Sequence, residues 1–207
     1  MARYTRSMSR AQVPPRTRTR SADVTDSLLD AALEILEEDG AEAMTVRAVA
    51  ARAEVAPMGV YSKFGGKTGL IEAIFVRGFA ELLASINTAS GPNAIERIRT
   101  GCQAYRLFAI AHPHLYQLMF KQMLELDLSE EALETAASTF AVLVSRIDDA
   151  MNAGLLERRD EVEVAQQFWN GMHGGVLLEL AGIAFTADPE QTFADMLDAL
   201  LRGSAAK

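Results

Sequence analysis

Among its 207 residues the chain has one cysteine and three histidines, and these shortages remove whole classes of chemistry. A lone Cys102 forms no internal disulfide, which suits a reducing cytoplasm. Set mid-helix among apolar neighbours, it reads as inert packing rather than a redox sensor. His112 and His114 flank Pro113 with no carboxylate fixed beside them, so neither a metal site nor a cofactor is expected. No nucleophile-elbow serine, paired metal motif or carboxylate dyad is evident, which argues against an enzyme. No apolar run approaches the roughly 18–20 residues of a membrane span. The arginines near the N-terminus lack the apolar stretch that follows them in a secretory signal. Runs of Val, Ile and Thr bounded by turn residues are scarce, while Ala, Leu, Glu and Met abound, so strands are not expected. What remains is a chain that is 49% hydrophobic, enough to bury a sizeable core: an all-α, cytoplasmic protein.

The net charge of −8 argues against a polyanionic partner until its distribution is read. Residues 1–20 hold six arginines and no acid. Through residue 67 the balance is ten bases to nine acids, whereas residues 68–207 hold ten bases and nineteen acids. One end can face a polyanion, and the body does something else.

Periodicity predicts about nine helices. Residues 1–20, with Pro14-Pro15 and no apolar period, read as a flexible arginine-rich arm. Val24, Leu28, Ala31, Ala32, Ile35 and Leu36 mark a first helix from Ser21, stopped by Gly40. A second opens at Thr45, whose hydroxyl suits an N-cap. A third runs from about Pro57 to Phe64 and ends at Gly65-Gly66. A fourth extends from Lys67 to about Ser85, a fifth over about Asn93–Ala111 and a short sixth over about Leu115–Met123. Asp127 with Glu130 reads as a capping box opening a seventh helix, which ends near Gly154. Asp160 with Glu163 opens an eighth, to about Gly182, and Asp188-Pro189 a ninth, to about Leu201.

Helices two and three are each about two turns long and separated by a short break, the spacing of a helix-turn-helix. Thr45, Arg47, Ser62, Lys63 and Lys67 put hydroxyls and cations at the ends of the motif, where phosphates would run. The N–H groups at Gly66-Lys67-Thr68 offer a phosphate a helix N-terminus. That triplet is not a nucleotide-binding P-loop, because Tyr61 stands where the loop needs its first glycine and a helix precedes it. Over about Ser21–Ile86, with a signature portion reading TVRAVAARAEVAPMGVYSKFGGKTGLIEAIF, the sequence resembles the TetR family of regulators. The resemblance implies that Thr45, Tyr61 and Lys67 hold phosphates while Met58 and Gly59, just after Pro57, face bases. Met58 suits thymine methyls, and Gly59 a close backbone approach. One departure stands out: the family's turn glycine is Glu54 here, which a left-handed backbone would strain.

The body carries two further segments, AYRLFAIAHPHLYQLMF (104–120) and FWNGMHGGVLLELAG (168–182). Both resemble the C-terminal ligand-binding domain with a Trp-His-Gly signature found in a subset of such regulators, with Trp169, His173 and Gly174 supplying those types. Among helices four to eight, Tyr105, Phe108, Tyr116, Met119 and Phe120 supply candidate walls for a ligand pocket. So do Met123, Phe140, Trp169 and Met172, with His173 as an orienting polar group. Ala165, Trp169, Met172, Val176 and Leu180 form an apolar stripe, beside which Gly171, Gly175 and Gly182 let another helix approach. Helix nine adds Phe193, Met196, Leu197, Leu200 and Leu201, a face that one domain need not cover. Two such helices per subunit suit a four-helix homodimer interface, as in the family.

The expectation is therefore an arm (1–20), a helix-turn-helix domain (21–67) and a ligand-binding and dimerisation domain (68–207). The function expected is that of a homodimeric repressor released from a double-stranded DNA operator by a small apolar or amphipathic effector. A DNA-binding regulator or architectural protein without a ligand is the alternative, which a solid core would favour. A helical enzyme is a remote third.

Overall fold

The computed structural model describes residues 21–206; the arginine-rich segment 1–20 lies outside them. The described residues form nine α-helices: α1 (Ser21–Asp39), α2 (Val46–Arg52), α3 (Met58–Phe64), α4 (Lys67–Asn87), α5 (Ala94–Ala111), α6 (Pro113–Glu125), α7 (Glu130–Asn152), α8 (Glu161–Leu180) and α9 (Pro189–Gly203). The all-α expectation holds. The one β-type pairing among them is an isolated antiparallel bridge between Leu156 and Ala205, which ties the α7–α8 connection to the C-terminal residues.

The helix starts follow from local chemistry. Thr45 Oγ1 accepts from the Ala48 N–H at 3.1 Å, Asn93 from Glu96, Asp160 from Val162 and Glu163, and Asp188 from Gln191. Each satisfies backbone donors that a helix leaves open at its first turn. The start of α7 differs from expectation. Ser129, not Asp127, is its N-cap, accepting from Ala132 N–H, because Ser129 has the extended backbone and is also bonded to Glu72 of α4. Helix α6 opens earlier than expected, at Pro113.

Leu28, Ala32 and Leu36 of α1, Val49 and Ala50 of α2, and Val60 of α3 are all fully buried. They close a three-helix head on Leu70 and Ile74 of α4, so α4 is both the head's floor and the spine of the body. In the body α4 packs against α5, α6 and α7, while α8 packs against α5, α7 and α9. The small-residue strip of α8 is used inside the chain. A Cβ on Gly171 would stand 2.8 Å from Met196 Sδ, and one on Gly175 3.7 Å from the Phe193 ring, both of α9. Phe193, Leu197 and Leu201 are buried, and Met196 and Leu200 pack partly buried against the core. The apolar face of α9 is thus turned largely onto its own α8, with Met196 and Leu200 left partly exposed. Toward its C-terminal end α8 leaves Leu177 and Leu178 exposed, followed by Ile183 and Phe185.

Candidate DNA-reading head and body cavity

Helix α2 buries Val49 and Ala50 and exposes Arg47 and Ala51. Helix α3 buries Val60 and half-buries Phe64, while Met58 (71% exposed), Tyr61 (53%) and Ser62 lie outward. Their spacing of three and four puts Met58, Tyr61 and Ser62 on one face. A large apolar side chain left this open on a two-turn helix is poor for stability and suited to a partner surface. The turn between the helices carries the expected strain: Glu54 has φ 55° and is the one described non-glycine residue at positive φ.

Charge is arranged for an anion. None of α2, α3 and α4 has an acid in its first turn, whereas α5, α7, α8 and α9 all do. Exposed Lys67 sits at the first position of α4, the positive end of the helix dipole, where a cation is unfavourable unless an anion joins it. The Tyr61 ring leans over this end, with Cε1 3.6 Å from where a Cβ on Gly66 would stand. Gly65 and Gly66, at φ 71° and 129°, make the two-residue turn that brings α4 there. Thr45 and Pro57 are exposed, as is Ser62, whose hydroxyl donates to Gly59 O; Lys63 is half-buried. Gly59 has an internal reason to be small, since a Cβ would meet Val55 Cγ1 at 2.9 Å. Arg52 belongs to the scaffold, pairing with Glu34 and Glu38 of α1. Sequence reasoning missed Gly69. A Cβ there would stand 1.8 Å from the Phe64 carbonyl oxygen, so only glycine lets α4 turn this tightly beneath α3.

The body holds a cavity of about 170 Å³ between α4, α5, α6, α7 and α8. Six of the ten expected wall residues line it: Tyr105, Phe120, Met123, Phe140, Trp169 and Met172. Phe108, Tyr116, Met119 and His173 do not. Tyr116 and Met119 are fully buried core, with Met119 against Gly78, and Phe108 packs on His112. His173 lies behind the wall in a hydrogen-bonded chain. The Trp169 indole N–H donates to Tyr105 Oη at 3.3 Å, Tyr105 and Tyr116 hydroxyls are 2.7 Å apart, and Tyr116 Oη is 2.7 Å from His173 Nδ1. Indole can only donate, so Tyr105 Oη accepts from Trp169, and His173 Nδ1 is within reach of both tyrosine hydroxyls, 2.7 Å from Tyr116 Oη and 3.2 Å from Tyr105 Oη. Burial lowers the His173 pKa and raises that of Tyr105 to about 12, so the chain is neutral throughout. Cys102 also lines the cavity, its thiol pushed up to about 12 by burial, which keeps it protonated and unreactive. Among the wall residues that sequence reasoning missed is Arg146, the one charged side chain of those lining the cavity.

Head and body meet at α6 as well as along α4. His112, its N-cap, supplies no side-chain bond. The carboxylate of Glu37, in the last turn of α1, accepts instead from the N–H groups of Leu115 (3.0 Å) and His114 (3.4 Å). No group of three or more metal-ligating side chains is present among the described residues.

Two family models match the chain. That of bacterial regulatory proteins of the tetR family covers residues 28–74, and that of the tetracyclin repressor-like C-terminal domain covers residues 98–200. An uncharacterised HTH-type transcriptional regulator of Mycobacterium tuberculosis is 24% identical over 179 residues, 86% of this chain and 80% of that protein. Among solved structures, a protein of unknown function from Rhodococcus sp. RHA1 superposes with a TM-score of 0.83 at 24% identity, covering 94% of this chain and all of the other. A TetR family transcription regulator from Marinobacter aquaeolei VT8 gives 0.71 at 16% identity, over 92% of this chain and all of its own.

Proposed function

The chain belongs to the TetR family of DNA-binding transcriptional regulators, and we propose that it acts as a homodimeric repressor released from its operator by a small molecule held in the body cavity. The observation that carries this reading is the link through α6. Its Phe120 and Met123 line the cavity, while its N-terminal N–H groups are held by Glu37 of the head. A ligand that moves α6 therefore acts on the helix that positions the reading head, and it need only favour the arrangement that fits DNA less well. The cavity favours this reading over a regulator without a ligand, for which a solid core would serve.

On the DNA side, Thr45, Arg47, Tyr61, Ser62, Lys63 and Lys67 hold phosphates, and Met58, with Pro57 and Gly59 beside it, meets base edges. Two heads about 34–36 Å apart read successive half-sites, which requires a dimer. Exposed Leu177 and Leu178 of α8 supply its apolar contact, with the outer side of α9 alongside. A cytoplasmic location fits this role.

The test is a fluorescence-anisotropy titration against the protein's own upstream DNA and a scrambled duplex at two salt concentrations. Tight binding to the upstream DNA alone, abolished by Tyr61→Ala with Lys67→Ala, supports the reading. Absence of binding at any salt overturns it.

A further inference from the structure

We propose that the molecule held in the cavity is an amphipathic organic acid, its carboxylate paired with Arg146 and its apolar body lying along α7. The inference rests on the effector reading above and names the ligand's chemical class.

Arg146 lines the cavity from α7, and its guanidinium is seated between two other helices. Nη2 donates to Ile86 O, in the last turn of α4, at 2.7 Å. Nη1 lies 2.0 Å from where a Cβ on residue 101 of α5 would stand, so the seat exists because that residue is glycine. The seat lacks a counter-ion. Arg52, Arg77, Arg99, Arg106 and Arg158 each hold a carboxylate, but no carboxylate among the described residues pairs with Arg146. The residues around the cavity include no acid, and the charge Arg146 feels from Arg97 is repulsive. Burial accordingly lowers its pKa. One carbonyl at a helix C-terminus offsets part of that cost but leaves most of the guanidinium's five donors to other partners. A carboxylate fits them with two parallel N–H···O bonds and restores neutrality.

The rest of the wall describes the rest of the ligand. Phe120, Phe140, Met123 and Leu133 are apolar, and the hydroxyls of Tyr105 and Thr139 are already bonded to neighbours. The lining runs along α7 from Leu133 to Arg146, roughly 20 Å at 1.5 Å per residue. A cavity of about 170 Å³ drawn out over that length suits a slender chain better than a compact drug-sized body, whose pockets start near about 300 Å³.

Trp169 is the single tryptophan and lines the cavity, so its fluorescence reports occupancy directly. The full-length protein is titrated with straight-chain acids from hexanoate to dodecanoate, and with the matching primary alcohols, all below their micelle points. DNA anisotropy is followed in parallel. The acids are expected to bind at least about tenfold more tightly than the alcohols. Arg146→Met and Gly101→Ala, the second keeping the arginine but denying it its seat, should remove that preference by weakening the acids far more than the alcohols. Equal binding of acid and alcohol to the unaltered protein overturns the proposal without needing any variant to fold, and leaves Arg146 as a cap on α4 alone. An acid preference that survives both substitutions overturns it too. If the alcohols release DNA as readily as the acids, the effector reading stands without the anion. If DNA binds and no member of either series perturbs Trp169 or the complex, the acid is refuted as well.

Discussion

Replacing Glu54 with glycine should stabilise the protein, against the usual direction of a change to glycine. The reason is the way α2 ends. Val55 N–H donates to Ala50 O at 2.9 Å and Glu54 N–H to Ala51 O at 3.2 Å, the paired bonds of a Schellman motif, which requires the residue between to be left-handed. Helices α7 and α8 end in the same pair of bonds, from Leu155 and Gly154 and from Ile183 and Gly182. There the left-handed residues are glycines at φ 70° and 67°, against 55° for Glu54. An L-residue in that conformation costs about 1–2 kcal/mol, and the greater freedom of glycine in the unfolded chain offsets about 0.4–1 kcal/mol. Glu54→Gly should therefore gain about 0.5–1 kcal/mol, a rise in Tm of roughly 2–4 °C at most for a chain of this size, read by circular dichroism. Gly154→Glu is the mirror experiment. A Cβ at Gly154 meets nothing within 4 Å, so its expected loss, about 0.5–1 kcal/mol after the same unfolded-state offset, is conformational alone. An unchanged or lower Tm for Glu54→Gly, alongside a costly Gly154→Glu, would refute the reasoning.

Gly69→Ala should cost about 1–3 kcal/mol through the collision with Phe64 O, although alanine is the better helix former; because α3 must shift, DNA affinity should fall too, and wild-type anisotropy would count against the tight turn. Glu37→Ala should lower stability by about 1 kcal/mol by uncapping α6, and a urea titration that shows no loss would sink the cross-domain cap. His173 is held neutral, so on acidification below about pH 6.5 the unfolded chain takes up the proton first and stability falls until the folded state's lowered pKa is reached. His173→Asn, which keeps an acceptor near Nδ1, should flatten that part of the Tm-against-pH curve, and an equal slope in both proteins would reject the assignment. Removing residues 1–20 should flatten the salt dependence of DNA binding by about 0.9 in log–log slope for each phosphate that the arm neutralises; an unchanged slope would show that the arm neutralises none.

The pattern of what can be read in the sequence follows the range of the interactions. Thr45, Asn93, Asp160 and Asp188 cap the helices they precede, and Glu54 has the left-handed backbone expected of a glycine position. Each of these depends on neighbours within a few residues, so the local order of residue types suffices. Asp127 and Ser129 both have cap chemistry before α7; Glu72 of α4, bonded to Ser129, is part of the start that forms, and no local pattern reports it. Periodicity likewise tells which faces of α8 and α9 are apolar but not that each covers the other, since Gly171 meets Met196 only after the chain has turned back. The cavity shows the same limit more sharply. Its aromatic and Met walls are legible as types, yet His173 is drawn behind the wall by Tyr116, and nothing local separates Arg146 from an ordinary helix cation. What sets Arg146 apart is a missing side chain at Gly101 and a missing acid opposite, and both are properties of neighbours contributed by other helices. The signals that identify the DNA-reading head are local and those that would identify its ligand are not, which is why the sequence speaks clearly about the first and the packed body is needed for the second.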